Sequence, residues 1–219
     1  MKLLDDLQTE HLLIERMAAS LQAIAAARSS GAAPPSDGAG AMRFFRLYAG
    51  RFHHAREEEV LFPALVATEV PADTGPLAAL LHAHHAMAHL LDLLEPLLCA
   101  PALWGPDGER AVALARRYGE ALLHHIDAEN SVLFPESVIR FRRQGLAELP
   151  QRGTDPEEEA ARLEGERLAA RYPREGIPGV FRGEGCVACA DYGTRCDGVE
   201  REWWSEHEWE DTLERMGNG

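Results

Sequence analysis

The stretch His53-His54-Ala55-Arg56-Glu57-Glu58-Glu59-Val60-Leu61-Phe62-Pro63 recurs without a gap as His125-Ile126-Asp127-Ala128-Glu129-Asn130-Ser131-Val132-Leu133-Phe134-Pro135. Each copy sets a histidine four residues before a glutamate, and each ends in Val-Leu-Phe-Pro. Residues i and i+4 share one face of a helix, so each pair points in a single direction. Stepping outward by three or four residues gives Phe45, Ala49, His53, Glu57 and Leu61 in the first copy, and Tyr118, Ala121, His125, Glu129 and Leu133 in the second. Both pairs therefore lie in the middle of an apolar stripe, which faces a core. A carboxylate buried there is costly unless it is paired or bound to a metal.

The helical period extends to two further segments. Residues 2 to 28 carry Leu4, Leu7, Ile14, Ala18 and Leu21 at helical spacing, with His11 on the same stripe. A change to Ser, Gly, Pro and Ala between Ser29 and Gly40 reads as a flexible connection. A second helix is expected from about Met42 to Thr68. A third follows the Pro71 to Asp73 turn, capped by Asp73 or Thr74 and ending near Cys99. After the turn ending in Pro106-Asp107-Gly108, a fourth runs to about Gln144. Four helices with short connections predict an all-α, up-down-up-down four-helix bundle over residues 1–145. On the third helix the stripe is read as Leu81, His85 and His89, again with an i to i+4 histidine pair.

The predicted site is thus His11, His53, Glu57, His85, His89, His125 and Glu129, drawn from all four helices. Two first-row metals with about six positions each offer roughly twelve places. Five imidazoles, four carboxylate oxygens and a bridging oxo or hydroxo group counted twice fill about eleven and leave one open. Carboxylates mixed with imidazoles favour iron or manganese over a closed structural zinc. His54, His82, His84 and His124 fall off the stripes and are read as surface groups or as groups that hold ligands by hydrogen bonds. Glu58 is a fallback carboxylate if the register differs by one. Tyr48 and Tyr118 are read as core aromatics and Cys99 as a packing residue.

The sequence resembles the hemerythrin-like proteins, or HHE cation-binding domains, over about residues 1 to 145. The residues that carry the likeness are Glu10-His11, His53-His54-x-x-Glu57-Glu58-x-x-Leu61-Phe62-Pro63, His85-x3-His89 and His125-x3-Glu129-Asn130-x-x-Leu133-Phe134-Pro135. The resemblance implies a four-helix bundle holding a non-haem di-iron centre bridged by the two glutamates. Oxygen-carrying hemerythrins use a longer His to Asp spacing on the last helix, whereas Glu129 stands four after His125, as in bacterial HHE proteins. The iron-sulfur repair branch usually carries an N-terminal cysteine-containing module, and here the bundle pattern starts almost at Met1.

Composition bounds the rest. With 22 Lys plus Arg against 36 Asp plus Glu and a formal charge of -14, the chain lacks the clustered cations of a nucleic-acid binder. Lys2, Asp5 and Asp6 interrupt any signal peptide, and no apolar run reaches the roughly 18 residues of a membrane span. A cytoplasmic protein with reduced or metal-bound thiols is expected. Residues 146–219 read as an acidic extension, with a helix from Glu157 to Tyr172, an irregular Gly, Pro and Cys rich stretch, and a short Trp-bearing helix from Glu200 to Met216. There Cys186, Cys189, Cys196 and His207 offer a tetrahedral zinc set, with free or redox-responsive thiols as the alternative. Three functions share these features: binding or sensing of dioxygen or a related small oxidant, a di-iron enzyme acting on peroxide or nitric oxide, and iron storage or delivery, including iron-sulfur repair.

Overall fold

Five helices account for the regular structure of residues 1–173, the part of the chain that the computed structural model describes. They are α1 (Lys2–Ser29), α2 (residues 35–66), α3 (Gly75–Leu98), α4 (residues 105–143) and α5 (Pro156–Arg171). The first four form the bundle that the stripes predict, with α1 against α4, α4 against α3, and α2 bordering α1 and α3. Among the described residues no helix is long and apolar enough to cross a membrane. The stretch Glu200 to Met216 and the set Cys186, Cys189, Cys196 and His207 lie outside the described residues.

The ends of the helices follow their local chemistry. Gly31, at φ +75°, turns the chain out of α1, and the amide of Ala32 reaches back to the Ala27 carbonyl. Gly145, at φ +69°, does the same for α4, with Leu146 bonding to Phe141. Both are positions that favour a residue without a Cβ. At that first end of the bundle the buried Arg28 donates to the carbonyls of Leu98, Ala33 and Ala100, tying the α1–α2 and α3–α4 connections to one guanidinium.

The connection expected between Ser29 and Gly40 is shorter than its composition suggests, because α2 begins at Pro35. Proline at the first helical position loses no hydrogen bond and has its φ preset. Tertiary partners hold the rest: Asp37 is buried and accepts from Arg167 and from the Tyr172 hydroxyl. Gly38 packs against the Leu98 carbonyl, where a Cβ would overlap it. Those partners lie 60 to 135 positions away and leave no mark on the local sequence.

Two helices are not regular along their length. In α2 the segments Phe44–His54 and Glu57–Leu61 are wound in wide turns with i to i+5 bonds, as is Glu129–Leu133 in α4. The Phe62 amide bonds to the Glu57 carbonyl and the Phe134 amide to the Glu129 carbonyl. Each of these matched turns stops two residues before a proline, Pro63 or Pro135. A proline ring clashes with the carbonyl four residues back and supplies no N–H, so a loosened turn ahead of it relieves both. Such turns are concentrated at functional sites.

The apolar core is in two parts. One cluster gathers Ile14, Leu21, Phe45, Tyr48, Leu91, Leu94, Tyr118 and Leu122 with their neighbours. The other gathers Leu3, Leu7, Leu61, Leu65, Leu77, Phe134 and Phe141. Tyr48 and Tyr118 are core aromatics, and Cys99 packs at the margin. Between the clusters runs a layer of buried histidine and glutamate.

Candidate metal centre

Two groups of side chains converge in that layer: His11, His53, Glu57 and Glu129, and His54, Glu57, His84 and His125, each with ligand atoms within 4.8 Å of one another. Glu57 belongs to both. Its Oε1 lies 3.5 Å from His53 Nε2 and its Oε2 lies 3.6 Å from His84 Nε2. Glu129 spans the same gap from the other side, with Oε2 3.3 Å from His11 Nε2 and Oε1 3.0 Å from His125 Nε2. Both carboxylates are fully buried, and none of their four oxygens has a hydrogen-bond partner. Uncompensated, a buried charge of this kind costs several kcal/mol.

Three of the imidazoles around them, on His53, His84 and His11, have their tautomers fixed from behind. His53 Nδ1 donates to the Glu10 carboxylate at 2.8 Å, and His84 Nδ1 donates to Glu58 at 2.7 Å. His11 Nδ1 meets the Asn130 side-chain oxygen at 2.9 Å. A neutral imidazole that donates through Nδ1 presents a bare lone pair at Nε2. Two such lone pairs, on His11 and His53, face each other at 3.0 Å. On the other side the bare Nε2 of His84 lies 2.8 Å from Nε2 of His125, whose Nδ1 is buried without a hydrogen-bond partner. Opposed lone pairs repel unless a cation lies between them, and orientation of ligand histidines by an outer carboxylate is what metal sites use.

Protonation energetics lead the same way. Burial pushes the His53 pKa down to about 4, with Glu10 opposing, so this ring is neutral at physiological pH. Burial also lowers His54, helped by the neighbouring His84, and lowers His84. At His11 burial likewise works against the charge, but the neighbouring Glu129 carboxylate outweighs it and the pKa is raised. Burial raises Glu57 well above the usual carboxylate range, and the charge of Glu129 adds to that. Burial works on Glu129 as well, yet His125 and His11 hold it well below that range. Without a cation, the pair thus carries one charge where two ligand carboxylates would carry two.

Five of the seven predicted residues, His11, His53, Glu57, His125 and Glu129, come together in this layer. His85 and His89 do not: both are exposed on α3. The buried stripe of α3 is Leu77, Leu80, His84, Met87, Leu91, Leu94 and Leu98, one residue out of step with Leu81, His85 and His89. This helix carries Leu and Ala around most of its circumference, so a short stripe is ambiguous, and only its extension to Leu91 and Leu94 selects His84. The remaining imidazole comes from His54, whose ring stacks on His84 at 3.9 Å between centroids. Its inward aim needs the wide turns of α2, for which α-helical periodicity gives no signal. Glu58 and Glu10 stand behind the histidines, and His82 and His124 are exposed.

The Hemerythrin HHE cation binding domain matches residues 2–137. The chain belongs to this family. Comparison with curated proteins and with solved structures gives no match. In this HHE domain, five imidazole nitrogens and two carboxylates with orphaned oxygens, each carboxylate reaching histidines of both groups, fit a bound metal cation, and the buried cluster is that of a metal-binding protein. The matched region ends inside α4, so α5 lies outside it.

Proposed function

We propose that the layer holds two iron ions and that the pair binds or senses dioxygen or a related small oxidant. His11 and His53 would hold one ion and His54, His84 and His125 the other, with Glu57 and Glu129 within reach of both. The opposed, bare Nε2 atoms of His11 and His53 beside four unpartnered carboxylate oxygens are the observation that carries this reading. Imidazole with carboxylate suits iron, which brings redox chemistry and affinity for small ligands. With two imidazoles against three, the His11 and His53 side would leave more room for a small ligand. The chain's own part is to fix ligand orientation through Glu10, Glu58 and Asn130 and to keep bulk water away with the apolar cluster on either side.

Aerobic purification with metal analysis and a visible spectrum tests the proposal. About two irons per chain, with a visible band that bleaches on reduction and returns in air, are expected. A colourless protein holding a single zinc overturns it. Steady consumption of peroxide or nitric oxide by the iron-loaded protein would move the assignment from sensing to catalysis.

A further inference from the structure

The dipeptide His-His occurs in both of the helices that carry the repeat, as His53-His54 in α2 and His124-His125 in α4. In α4 it lies in regular α-helix, and the pair is divided, with His125 buried and His124 exposed. Successive residues of an α-helix are about 100° apart, which explains the division. In α2 the pair closes the wide-turn segment Phe44–His54, and both rings enter the metal layer. A wide turn places more residues in each revolution, so neighbouring side chains diverge less. Such turns bond less favourably than α-helical ones and persist where surrounding structure enforces them.

What surrounds this segment is α5, which runs along α2 from Asp37 to Arg51 and stops just before His53. At the far end Arg167 and Arg171 meet Asp37 at 3.0 and 3.1 Å. Midway, Gly165 admits the Phe44 ring so closely that a Cβ would overlap it. At the near end Arg51 meets Asp155 at 2.8 Å, Glu157 at 3.0 Å and Glu158 at 3.3 Å, all at the start of α5. Arg152, in the connector, donates to the main-chain carbonyl of Arg51 at 2.6 Å and to both oxygens of the buried Glu158 at 2.7 and 3.1 Å. Its guanidinium also lies over the Phe52 ring. The backbone two residues ahead of the two histidines is therefore gripped by residues that the HHE match does not include.

We propose that α5 and its connector are a positioning clasp for the metal centre: Arg51, Arg152 and Gly165 hold the wide-turn segment of α2 in the register that presents His54 as well as His53. None of the three touches the metal layer; they act through the backbone. The clasp rests on the iron-binding reading above, and its test separates the two.

The full-length chain is loaded anaerobically with ferrous iron and challenged with a chelator, alongside an Arg51→Ala/Arg152→Ala double variant, Gly165→Leu and Arg46→Ala. Arg46 lies in the same segment and pairs with Asp92 and Glu95 of α3, so its removal reports the loss of ion pairs without the loss of the clasp. The double variant is expected to keep its far-ultraviolet helical signal and to release iron about tenfold faster or more, with half of the iron lost first. Arg46→Ala should follow the parent. Parent-like iron retention in the double variant overturns the clasp, as does equal loosening by Arg46→Ala, which would mark a general loss of stability. Should Gly165→Leu fail to fold, the double variant decides alone. A parent chain that binds no iron removes the clasp and the iron reading together.

Discussion

The two copies of the repeat have the same spacing and bring different numbers of side chains into the candidate metal layer. From α4 come His125 and Glu129; from α2 come His53, His54 and Glu57. Each copy has a wide turn beginning at its glutamate and a proline after it, so the motif itself is not the source of the difference. The source lies upstream, where α2 is wide-turned over Phe44–His54 and α4 is regular over Gly105–Ala128. Spacing within the motif settles which carboxylate joins which imidazole. The pitch of the helix that leads into it settles how many imidazoles arrive.

The largest expected effect removes what both copies share. Glu57→Gln or Glu129→Gln deletes a bridge to both groups, and metal analysis should show nearly all bound metal lost. In the metal-free protein Glu57→Gln should act in the opposite sense, removing the burial and the repulsion from Glu129 that force Glu57 to take a proton, and raising Tm at about 2–4 °C per kcal/mol relieved. A lowered metal-free Tm would argue against that repulsion.

A difference between the copies gives the next effect. His54→Ala should cost about half of the bound metal, while His124→Ala, the matching dipeptide position in α4, should cost none. His85→Ala and His89→Ala, on the exposed face of α3, should behave like His124→Ala. Loss of metal in either would restore the register predicted for α3 from its short stripe.

The smallest effect concerns the far end of α5. Burial tends to raise the pKa of Asp37, but Tyr172, Arg167 and Arg171 outweigh it and hold it below its ordinary value of 3.8. A depressed carboxylate contributes stability above that ordinary value and loses it as pH falls through the folded one. Asp37→Asn should therefore lower Tm at neutral pH and flatten its acid-side dependence, by only a few degrees because the arginine partners are half exposed and screened. An unchanged melting curve between pH 2 and 7 would show that the cluster contributes nothing.

Most of the bundle was legible because it depends on short-range pattern. The stripes through His11, through His53 and Glu57, and through His125 and Glu129 are all buried as read. The start of α2 was not legible, since Asp37 and Gly38 find their partners far along the chain. On α3 the apolar face was misread by one residue, because Leu and Ala on several sides allow two registers over a short window. His54 was illegible for a different reason: a pattern built on 3.6 residues per turn has no place for a segment wound more loosely.

Because the histidine and glutamate layer divides the core, the apolar packing that makes a bundle one cooperative unit is interrupted at mid-length. Cooperativity between the Leu3 to Phe141 cluster and the Ile14 to Leu122 cluster has to pass through helical backbone and the side chains of the layer itself. A cation bound there would join the two clusters thermodynamically as well as chemically. Emptying the layer would uncouple their local openings before either cluster melted.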